Sequence, residues 1–297
     1  MAWRRRAVQI WVAVALVALC LWIVWACQQK RVEQGAGPAT TTSSTIRIAT
    51  WNLRKFSERQ GAGQYPPDLV EIASIIKTAQ FDLIAIQEVQ REGQIVEKLR
   101  RQLNEPWRHV VSDRTGNNER YAFLYRGDRV DIVDGSARLI VGPETAVFDR
   151  APFTASFKAG QFDFVLVTMH LSYTDHARRA AEASALAALA RKMVDESSEK
   201  DLIVLGDFNE QHQRGNLHIF EEQGWTKLNR DATNLGSSEV YDNLLIDRRY
   251  TKEWTGAVGT WRFDEMDYAN DDKTATEFVS DHRPAWGEFE TAGPDDD

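Results

Sequence analysis

Cysteine is nearly absent from this chain of 297 residues. Its two cysteines, Cys20 and Cys27, both lie in an apolar run near the N-terminus, and the remaining sequence has none. A disulfide framework is therefore excluded beyond residue 27, and cysteine usage does not indicate a redox compartment. That part of the chain must be held together by an apolar core, which about 250 residues can bury within one large domain.

An excess of positive charge is also absent. The formal net charge is −8, and residues 1–45 contribute five basic residues and one acidic residue, so the rest of the chain carries −12. Proteins that hold polyanions by bulk charge neutralise the phosphates with Lys and Arg. Any contact with nucleic acid must therefore be local or mediated by a metal ion, and most of the acidic excess is expected to be solvated surface.

A long apolar run covers residues 7–27, directly after Arg4, Arg5 and Arg6. About 20 such residues span a bilayer core, and basic residues before the run favour a cytoplasmic N-terminus with the rest of the chain outside the cytoplasm. We predict a membrane-anchoring transmembrane helix within residues 1–27 and a flexible linker over residues 28–44. The alternative is a signal segment that is cleaved to release a secreted protein, although the run is long for this purpose and lacks an A-x-A site.

Short apolar strands alternate with helical patterns from residue 45 onward. The spacing predicts helices over residues 68–78, 95–103 and 175–194, with Asp68 as the cap of the first. The predicted strands cover residues 46–50, 83–86, 121–125, 130–133, 153–157, 162–168, 202–205, 244–246 and 286–289. Because some of these segments follow one another as hairpins and others are joined by helices, we predict an α/β fold with a mixed sheet over residues 45–290. An acidic tail follows over residues 291–297.

Four polar strings stand at the ends of short apolar runs. They are Thr50-Trp51-Asn52-Leu53, Gln87-Glu88-Val89, Gly206-Asp207-Phe208-Asn209 and Ser280-Asp281-His282-Arg283-Pro284. Each string alone is also typical of a turn or a solvated sheet edge. Together they place carboxylate and amide oxygens and an imidazole at strand ends, where ligand sites occur. Such groups suit metal-assisted cleavage of phosphoesters.

Two histidines have neighbours that suit acid–base chemistry. His170 ends an apolar run, and His282 precedes the last predicted strand. Imidazole titrates near neutrality, and a carboxylate partner fixes its tautomer. Glu119 and Asp242 are the candidate partners. The other histidines lack such a context and are interpreted as surface or capping residues: His109, His176, His212 and His218.

The same strings, in this order, resemble the endonuclease/exonuclease/phosphatase superfamily and, within it, the pancreatic deoxyribonuclease family. The resemblance covers residues 45–290. It rests on matches at residues 49–56, 86–89, 119–126, 149–152, 168–171, 206–209, 241–243 and 280–284. It implies a four-layer α/β sandwich in which two stacked mixed β-sheets are flanked by helices.

The resemblance also implies roles for individual residues. The expected metal ligands are Glu88, Asn52, Asp207 and Asp281, with Mg²⁺ as the cofactor and Mn²⁺ or Ca²⁺ as alternatives. The expected catalytic groups are His282 with Asp242 on the base side, His170 with Glu119 on the acid side, and Asp207 with Asn209 at the attacking water. The residues expected to contact the scissile phosphate are Arg150 and Asn209.

Three features depart from the deoxyribonuclease pattern. Gln90 stands where that family has an arginine that enters the minor groove, and Asn117 stands where it has a tyrosine that packs on a sugar. The family's disulfide cysteines are missing. An acidic segment over residues 264–277 would repel a second phosphate strand if it lay near the cleft. These departures weaken the case for duplex DNA as substrate.

The leading hypothesis is a membrane-anchored, magnesium-dependent endonuclease that acts as a monomer on nucleic acid outside the cytoplasm. The alternative is a phosphatase or phospholipid phosphodiesterase, resembling sphingomyelinases or phosphoinositide phosphatases, because a fold does not fix the substrate. A binding module with an inactive site fits poorly, since none of the expected catalytic positions is lost.

Overall fold

Two β-sheets form the centre of the fold in the computed structural model, which describes residues 44–58, 66–210 and 215–293. The first sheet contains, from edge to edge, β12 (Trp254–Thr260), β13 (Ala285–Glu290), β1 (Thr45–Phe56), β2 (Leu83–Val89), β4 (Arg120–Arg126) and β3 (Trp107–Val111). The second contains β10 (Thr226–Lys227), β11 (Asp242–Ile246), β9 (Leu202–Asp207), β8 (Phe162–His170), β7 (Phe153–Ala159) and β5 (Asp131–Ile132), with β6 (Arg138–Leu139) also paired to β7. In each sheet the central pair, β1–β2 or β8–β9, is parallel and the other pairs are antiparallel, which confirms the prediction of mixed sheets.

Helices cover the outer faces of the two sheets. They are α1 (Leu69–Thr78), α2 (Gln94–Leu103), α3 (His176–Glu196), α4 (His218–Glu222), α5 (Phe263–Met266) and α6 (Asp272–Phe278), with 3₁₀ turns at Gly116–Asn118 and Pro143–Thr145. The Asp68 side chain accepts hydrogen bonds from the backbone N–H groups of Val70 and Glu71, so the predicted cap of α1 is confirmed. Asp175 caps α3 in the same way.

Three apolar layers separate the two sheets and their helices. Along β1, Ile46 and Ile48 pack into the layer between the sheets, whereas Ala49 and Trp51 pack into the layer beneath α1 and α2. A third layer joins the second sheet to α3, whose Leu186 is fully buried there. Side chains alternate between the two faces of a strand, so each central strand contributes to two layers. The result is the four-layer α/β sandwich that the resemblance implied.

Several element boundaries differ from those predicted. β1 continues past residue 50 to Phe56, because the pairing with β2 resumes after a bulge. The segment over residues 130–133 pairs only at Asp131 and Ile132. β12, at the edge of the first sheet, contains Gly256 and Gly259 and lacks a strong apolar alternation, so the sequence pattern did not indicate it.

The acidic segment over residues 264–277 does not line the cleft described below; it forms α5 and α6. Asp264 is fully buried and receives two hydrogen bonds from the Arg283 guanidinium, at 2.7 Å to Oδ1 and 2.5 Å to Oδ2. Repulsion of a second phosphate strand was expected only if the segment lay near the cleft, and none of its residues lines it.

We expect Asp264→Ala to lower the free energy of unfolding by about 3 kcal/mol, because it leaves the Arg283 charge without its main partner in a mostly buried position. The measurement is urea unfolding of the two proteins. Glu265→Ala is the matched control, since Glu265 contacts the same guanidinium from a more exposed position, and its expected cost is less than about 1 kcal/mol. Equal losses in both variants would contradict this interpretation.

No helix within the described ranges is long and apolar enough to cross a membrane. The predicted anchor over residues 1–27 and nearly all of the predicted linker lie outside those ranges, as does His212. Both the anchor and the linker therefore stay predictions.

Candidate active site

A cleft of about 420 Å³ opens where the parallel strands of both sheets end. β2 brings Glu88 to it from one sheet, where the buried Asn52 of β1 bonds to the Glu88 carboxylate, and β8 and β9 bring His170 and Asp207 from the other. The antiparallel strand β11 begins beside the end of β9, where Asp242 pairs with Asp207. Strand ends from the two sheets thus converge on one cleft.

Asp207 lies at the centre of this arrangement and is buried. Its Oδ2 atom accepts a hydrogen bond from Asn52 Nδ2 at 2.9 Å and lies 3.6 Å from His170 Nε2 and 3.8 Å from His282 Nε2. Its Oδ1 atom accepts the backbone N–H of Asn209 at 2.8 Å. Both imidazoles therefore present the same nitrogen to a single carboxylate oxygen.

The close packing of β9 on β8 depends on Gly206. A Cβ atom at this position would lie 2.0 Å from the Met169 carbonyl oxygen, and its φ of 152° is one that other residues rarely adopt. The glycine therefore allows the two strands to approach, so that His170 and Asp207 pair at their ends.

His282 forms a buried pair with Asp242. Its Nδ1 lies 2.7 Å from Asp242 Oδ2, which leaves Nε2 directed at Asp207. Burial opposes protonation of His282, but the charges of Asp242 and Asp207 outweigh it and raise the pKa of the imidazole. Asp242 therefore orients the ring, and a cation at Asp207 would offset one of the two charges that favour the protonated form.

His170 is paired in the same manner with Glu119. Its Nδ1 lies 3.1 Å from Glu119 Oε2, and its backbone N–H donates to the Tyr121 hydroxyl at 3.2 Å. Burial opposes protonation here too, while the hydrogen bond to Glu119 and the charge of Asp207 raise the pKa of His170. The cleft thus has two imidazole–carboxylate pairs whose Nε2 atoms both lie near Asp207 Oδ2.

Glu88 reaches the cleft because β2 is bulged. Simple alternation would place its side chain with Ile84 and Ile86 on the helix-covered face. Instead Glu88 has a φ of 58° and the pairing register shifts beside it. Its carboxylate accepts hydrogen bonds from Asn52 Nδ2 at 3.0 Å and from the Lys55 backbone N–H at 2.7 Å. Periodicity alone would therefore have misplaced this side chain.

The remaining predicted site residues, Asn209, Arg150 and Asp281, differ in their burial and in their hydrogen-bond partners. Asn209 is buried and donates from Nδ2 to the Leu171 carbonyl at 2.9 Å. Arg150 is also buried, and its guanidinium donates to the backbone carbonyls of His170 and Leu171. Asp281 is 35% exposed and forms an ion pair with Arg54 at 3.2 Å. All three line the cleft, and their roles stay predictions.

Two buried polar residues that the sequence did not single out support the site. Gln87 is fully buried between the sheets and donates from Nε2 to the hydroxyls of Thr50 at 3.0 Å and Thr168 at 2.9 Å. These contacts join β1, β2 and β8 directly beneath Asn52, Glu88 and His170. The sequence does offer a sign of this role: Gln87 occupies the same alternating positions of β2 as Leu83 and Ala85, which face the layer between the sheets.

The second supporting residue is Glu182 of α3, which is fully buried. Its two carboxylate oxygens accept the backbone N–H groups of Asp149 and Ser172, each at 2.8 Å. Those residues adjoin Arg150 and the end of β8, so Glu182 holds together two segments that line the cleft. In an alanine-rich helix, a single acid on the buried face was the signal for this contact.

The carboxylates of Glu88 and Asp207 fit a divalent cation, whereas Asn52 donates to both of them from Nδ2 and its Oδ1 accepts the Arg54 backbone N–H at 2.9 Å. Two carboxylates face one N–H₂ group, that of Asn52, so negative charge converges on a single point. Carboxylate and amide oxygens are the ligands that hard cations prefer. A second acid–imidazole cluster, formed by Asp207, Asp242 and His282, also has closely spaced donors. In that cluster His282 Nδ1 and Asp242 Oδ2 already satisfy one another, which favours acid–base chemistry over metal ligation.

We expect Asp242→Asn to lower the pKa of His282, because it removes the largest source of negative charge that stabilises the imidazolium. The measurement is an NMR pH titration of the His282 ring in the presence of a chelator. Asp281→Asn serves as the control, since Asp281 makes a smaller contribution to the same shift and should change the pKa less. An unchanged value in Asp242→Asn would contradict the proposed pairing.

Comparison with known proteins places these features in context. Residues 49–282 match the family model described as the Endonuclease/Exonuclease/phosphatase family. A deoxyribonuclease from Thioalkalivibrio sp. (strain K90mix) is 31% identical over 270 residues, which cover 82% of this chain and 71% of the relative. Deoxyribonuclease-1-like 2 from Mus musculus is 27% identical over 273 residues, with 84% of this chain and 93% of the relative covered.

Solved structures share the fold at lower sequence identity. A mannosyl-6-phosphatase from Bacteroides thetaiotaomicron superposes with a TM-score of 0.57 at 16% identity, covering 82% of this chain and 98% of that structure. This similarity shows that the four-layer architecture is shared. The family match and the sequence relatives supply the information on chemistry.

Proposed function

Because this chain belongs to the endonuclease/exonuclease/phosphatase family and is a phosphoester hydrolase, we propose that it is a magnesium-dependent endonuclease that hydrolyses DNA phosphodiesters. The observation that carries this proposal is the convergence of two imidazole–carboxylate pairs on Asp207 Oδ2. In-line hydrolysis requires a base on one side of phosphorus and an acid on the other. The Nε2 atoms of the two imidazoles, 3.6 and 3.8 Å from that oxygen, supply one candidate for each role.

We assign the proton transfers to the histidines as follows. His282, oriented by Asp242, accepts a proton from the attacking water through Nε2. His170, oriented by Glu119, donates a proton through Nε2 to the leaving oxygen. Asn209 and Asp207 are placed to orient the water and the phosphate between the two rings.

Glu88 and Asp207 are the residues that would hold the cation, with Asn52 positioning both carboxylates from Nδ2 and Asp281 lining the same cleft. A divalent ion, when bound, supplies positive charge to the phosphoryl oxygens and offsets the charge that develops in the transition state. The side chains that line the cleft include five carboxylates and only Lys55 and Arg150 as cations within the described ranges. A phosphodiester would therefore be repelled unless a cation bound first.

DNA is the proposed substrate because two relatives that cover 82% and 84% of this chain are named as a deoxyribonuclease and a deoxyribonuclease-1-like protein. The alternative is a phosphatase or a phospholipid phosphodiesterase. It is favoured by Asn117, which lines the cleft in place of the expected tyrosine, and by the predicted anchor. Gln90 is not among the residues that line the cleft, so its effect on substrate choice should be small.

The deciding experiment compares substrates under identical conditions. The purified protein is incubated with supercoiled plasmid, with sphingomyelin vesicles and with phosphoinositide vesicles, each in the presence of Mg²⁺ or of a chelator. The proposal predicts plasmid nicking that requires Mg²⁺ and no turnover of either lipid. Lipid turnover without nicking would reject the endonuclease and support the alternative.

A further inference from the structure

Tyr173 is an unusual residue on this molecule. It is 61% exposed, whereas the other aromatic side chains in the described ranges are buried or half-buried. Tyr173 follows His170 by three positions in the chain, and it lines the cleft together with Tyr241. An exposed aromatic ring inside a polar cleft has no role in the apolar core, so its position calls for a ligand.

The backbone beneath this ring is rigidly held. The Tyr173 carbonyl accepts a hydrogen bond from Arg179 Nη1 at 2.6 Å, and the same nitrogen donates to the Ser172 carbonyl at 2.9 Å. Arg179 is itself buried, and Glu182 fixes the Ser172 N–H from the same helix. A ring on a fixed backbone binds a flat partner at a low entropic cost.

Tyr241 extends this aromatic surface toward the acid–base groups. Its ring lies 5.8 Å from the His282 ring. Burial, and then the nearby Tyr173, raise the pKa of the Tyr241 hydroxyl, as expected for two neighbouring phenols. Both tyrosines line the cleft, and we call the surface that they form the tyrosine wall.

The charges around the tyrosine wall argue against a duplex. Binding of duplex DNA by its backbone requires many Lys and Arg contacts. Of the two cations that line the cleft in the described ranges, Arg150 is buried and bonded to backbone carbonyls. Stacking on an aromatic ring needs no positive charge, but it needs an unpaired base with a free face.

We propose that the tyrosine wall stacks an unpaired base beside the scissile phosphate, so that the enzyme prefers single-stranded over duplex nucleic acid. This inference rests on the proposed nuclease function and adds the form of its substrate. Tyr173 supplies the outer stacking face, and Tyr241 carries the surface inward to His282. The preference arises from the free base rather than from the phosphate backbone.

The test measures kcat/KM with Mg²⁺ on a short oligothymidylate, on the same strand annealed to oligoadenylate, and on an abasic strand with the same number of phosphates. We expect the wild type to prefer the single strand, and Tyr173→Ala to lower kcat/KM on it by about 5- to 100-fold, the range for loss of one stacked base. Tyr173→Phe should retain the activity. On the abasic strand, Tyr173→Ala and wild type should be equal.

Met266→Ala is the control for an exposed apolar side chain outside the cleft, and it should match the wild type. The proposal is overturned if Tyr173→Ala cleaves oligothymidylate as fast as the wild type, or if the wild type prefers the duplex. It is also overturned if the loss is the same on the abasic strand, since the ring would then not act through a base.

Binding of labelled oligothymidylate by fluorescence anisotropy, with Ca²⁺ or a chelator, separates this proposal from the nuclease function. Binding that Tyr173→Ala weakens, without cleavage of any strand by the wild type, would reject the nuclease and retain the stacking wall. Cleavage that is insensitive to Tyr173→Ala would reject the wall and retain the nuclease. A wild type that neither binds nor cleaves would reject both.

Discussion

Asp207→Asn should lower kcat/KM for phosphodiester cleavage by about 10³-fold or more. The substitution keeps the size of the side chain and removes its charge. Asp207 Oδ2 accepts a hydrogen bond from Asn52 beside the proposed cation site. The same oxygen lies close to the Nε2 atoms of His170 and His282. A single substitution therefore weakens cation binding and both acid–base groups together. The measurement is steady-state cleavage of labelled DNA over a range of Mg²⁺ concentrations.

Asp163→Asn is the matched control. Asp163 lies near the start of β8, the strand that ends at His170, and pairs with Lys158 on the surface. We expect its activity to equal that of the wild type. If Asp207→Asn retained more than a tenth of the wild-type kcat/KM, Asp207 would not be the centre of the site.

Replacement of the two histidines should have large effects that depend differently on the leaving group. On DNA, whose leaving alkoxide needs a proton, His170→Ala and His282→Ala should each lower kcat/KM by about 10²- to 10⁴-fold. On a nitrophenyl phosphodiester the leaving group departs without a proton. His170→Ala should then approach the wild type, whereas His282→Ala should remain slow. The measurement compares both variants on both substrates.

His109→Ala is the control. The His109 imidazole lies on β3, outside the cleft, and its Nδ1 atom is 3.6 Å from the carboxylate of Glu97 on α2. Its activity on both substrates should be unchanged. If His282→Ala were the variant rescued by the nitrophenyl ester, the acid and base roles would be exchanged. If neither variant were impaired on DNA, the imidazoles would not transfer protons in this reaction.

Much of the site could be predicted because its residues stand at the ends of strongly apolar strands. The run Leu202–Leu205 is buried throughout, so Asp207 had to emerge at the rim of a sheet. The pairing of His282 with Asp242 and of His170 with Glu119 was expected from the family resemblance, and the structure brings both pairs within hydrogen-bonding distance. The main arrangement of the site residues could therefore be predicted from strand ends and local sequence strings.

The features that could not be predicted depend on contacts between distant segments. The turn of Glu88 into the cleft comes from a bulge whose register is set by two neighbouring strands. Gln87 and Glu182 matter because of partners more than thirty positions away, such as Thr168 and Asp149. The neutralisation of Asp264 by Arg283 likewise follows from tertiary packing. For Gln87 and Glu182 the sequence shows a polar residue on a buried face, but in none of these cases does the local sequence identify the partner.

The most direct test of the central claim is plasmid nicking by Glu88→Ala beside Glu92→Ala. Glu92 lies four positions further along the chain, and its carboxylate pairs with Arg114 and Arg120 at the surface. We predict that the wild type and Glu92→Ala nick plasmid in Mg²⁺ but not in chelator. Glu88→Ala should not nick plasmid under either condition. Nicking by Glu88→Ala at the wild-type rate would show that phosphodiester cleavage does not use this cation site.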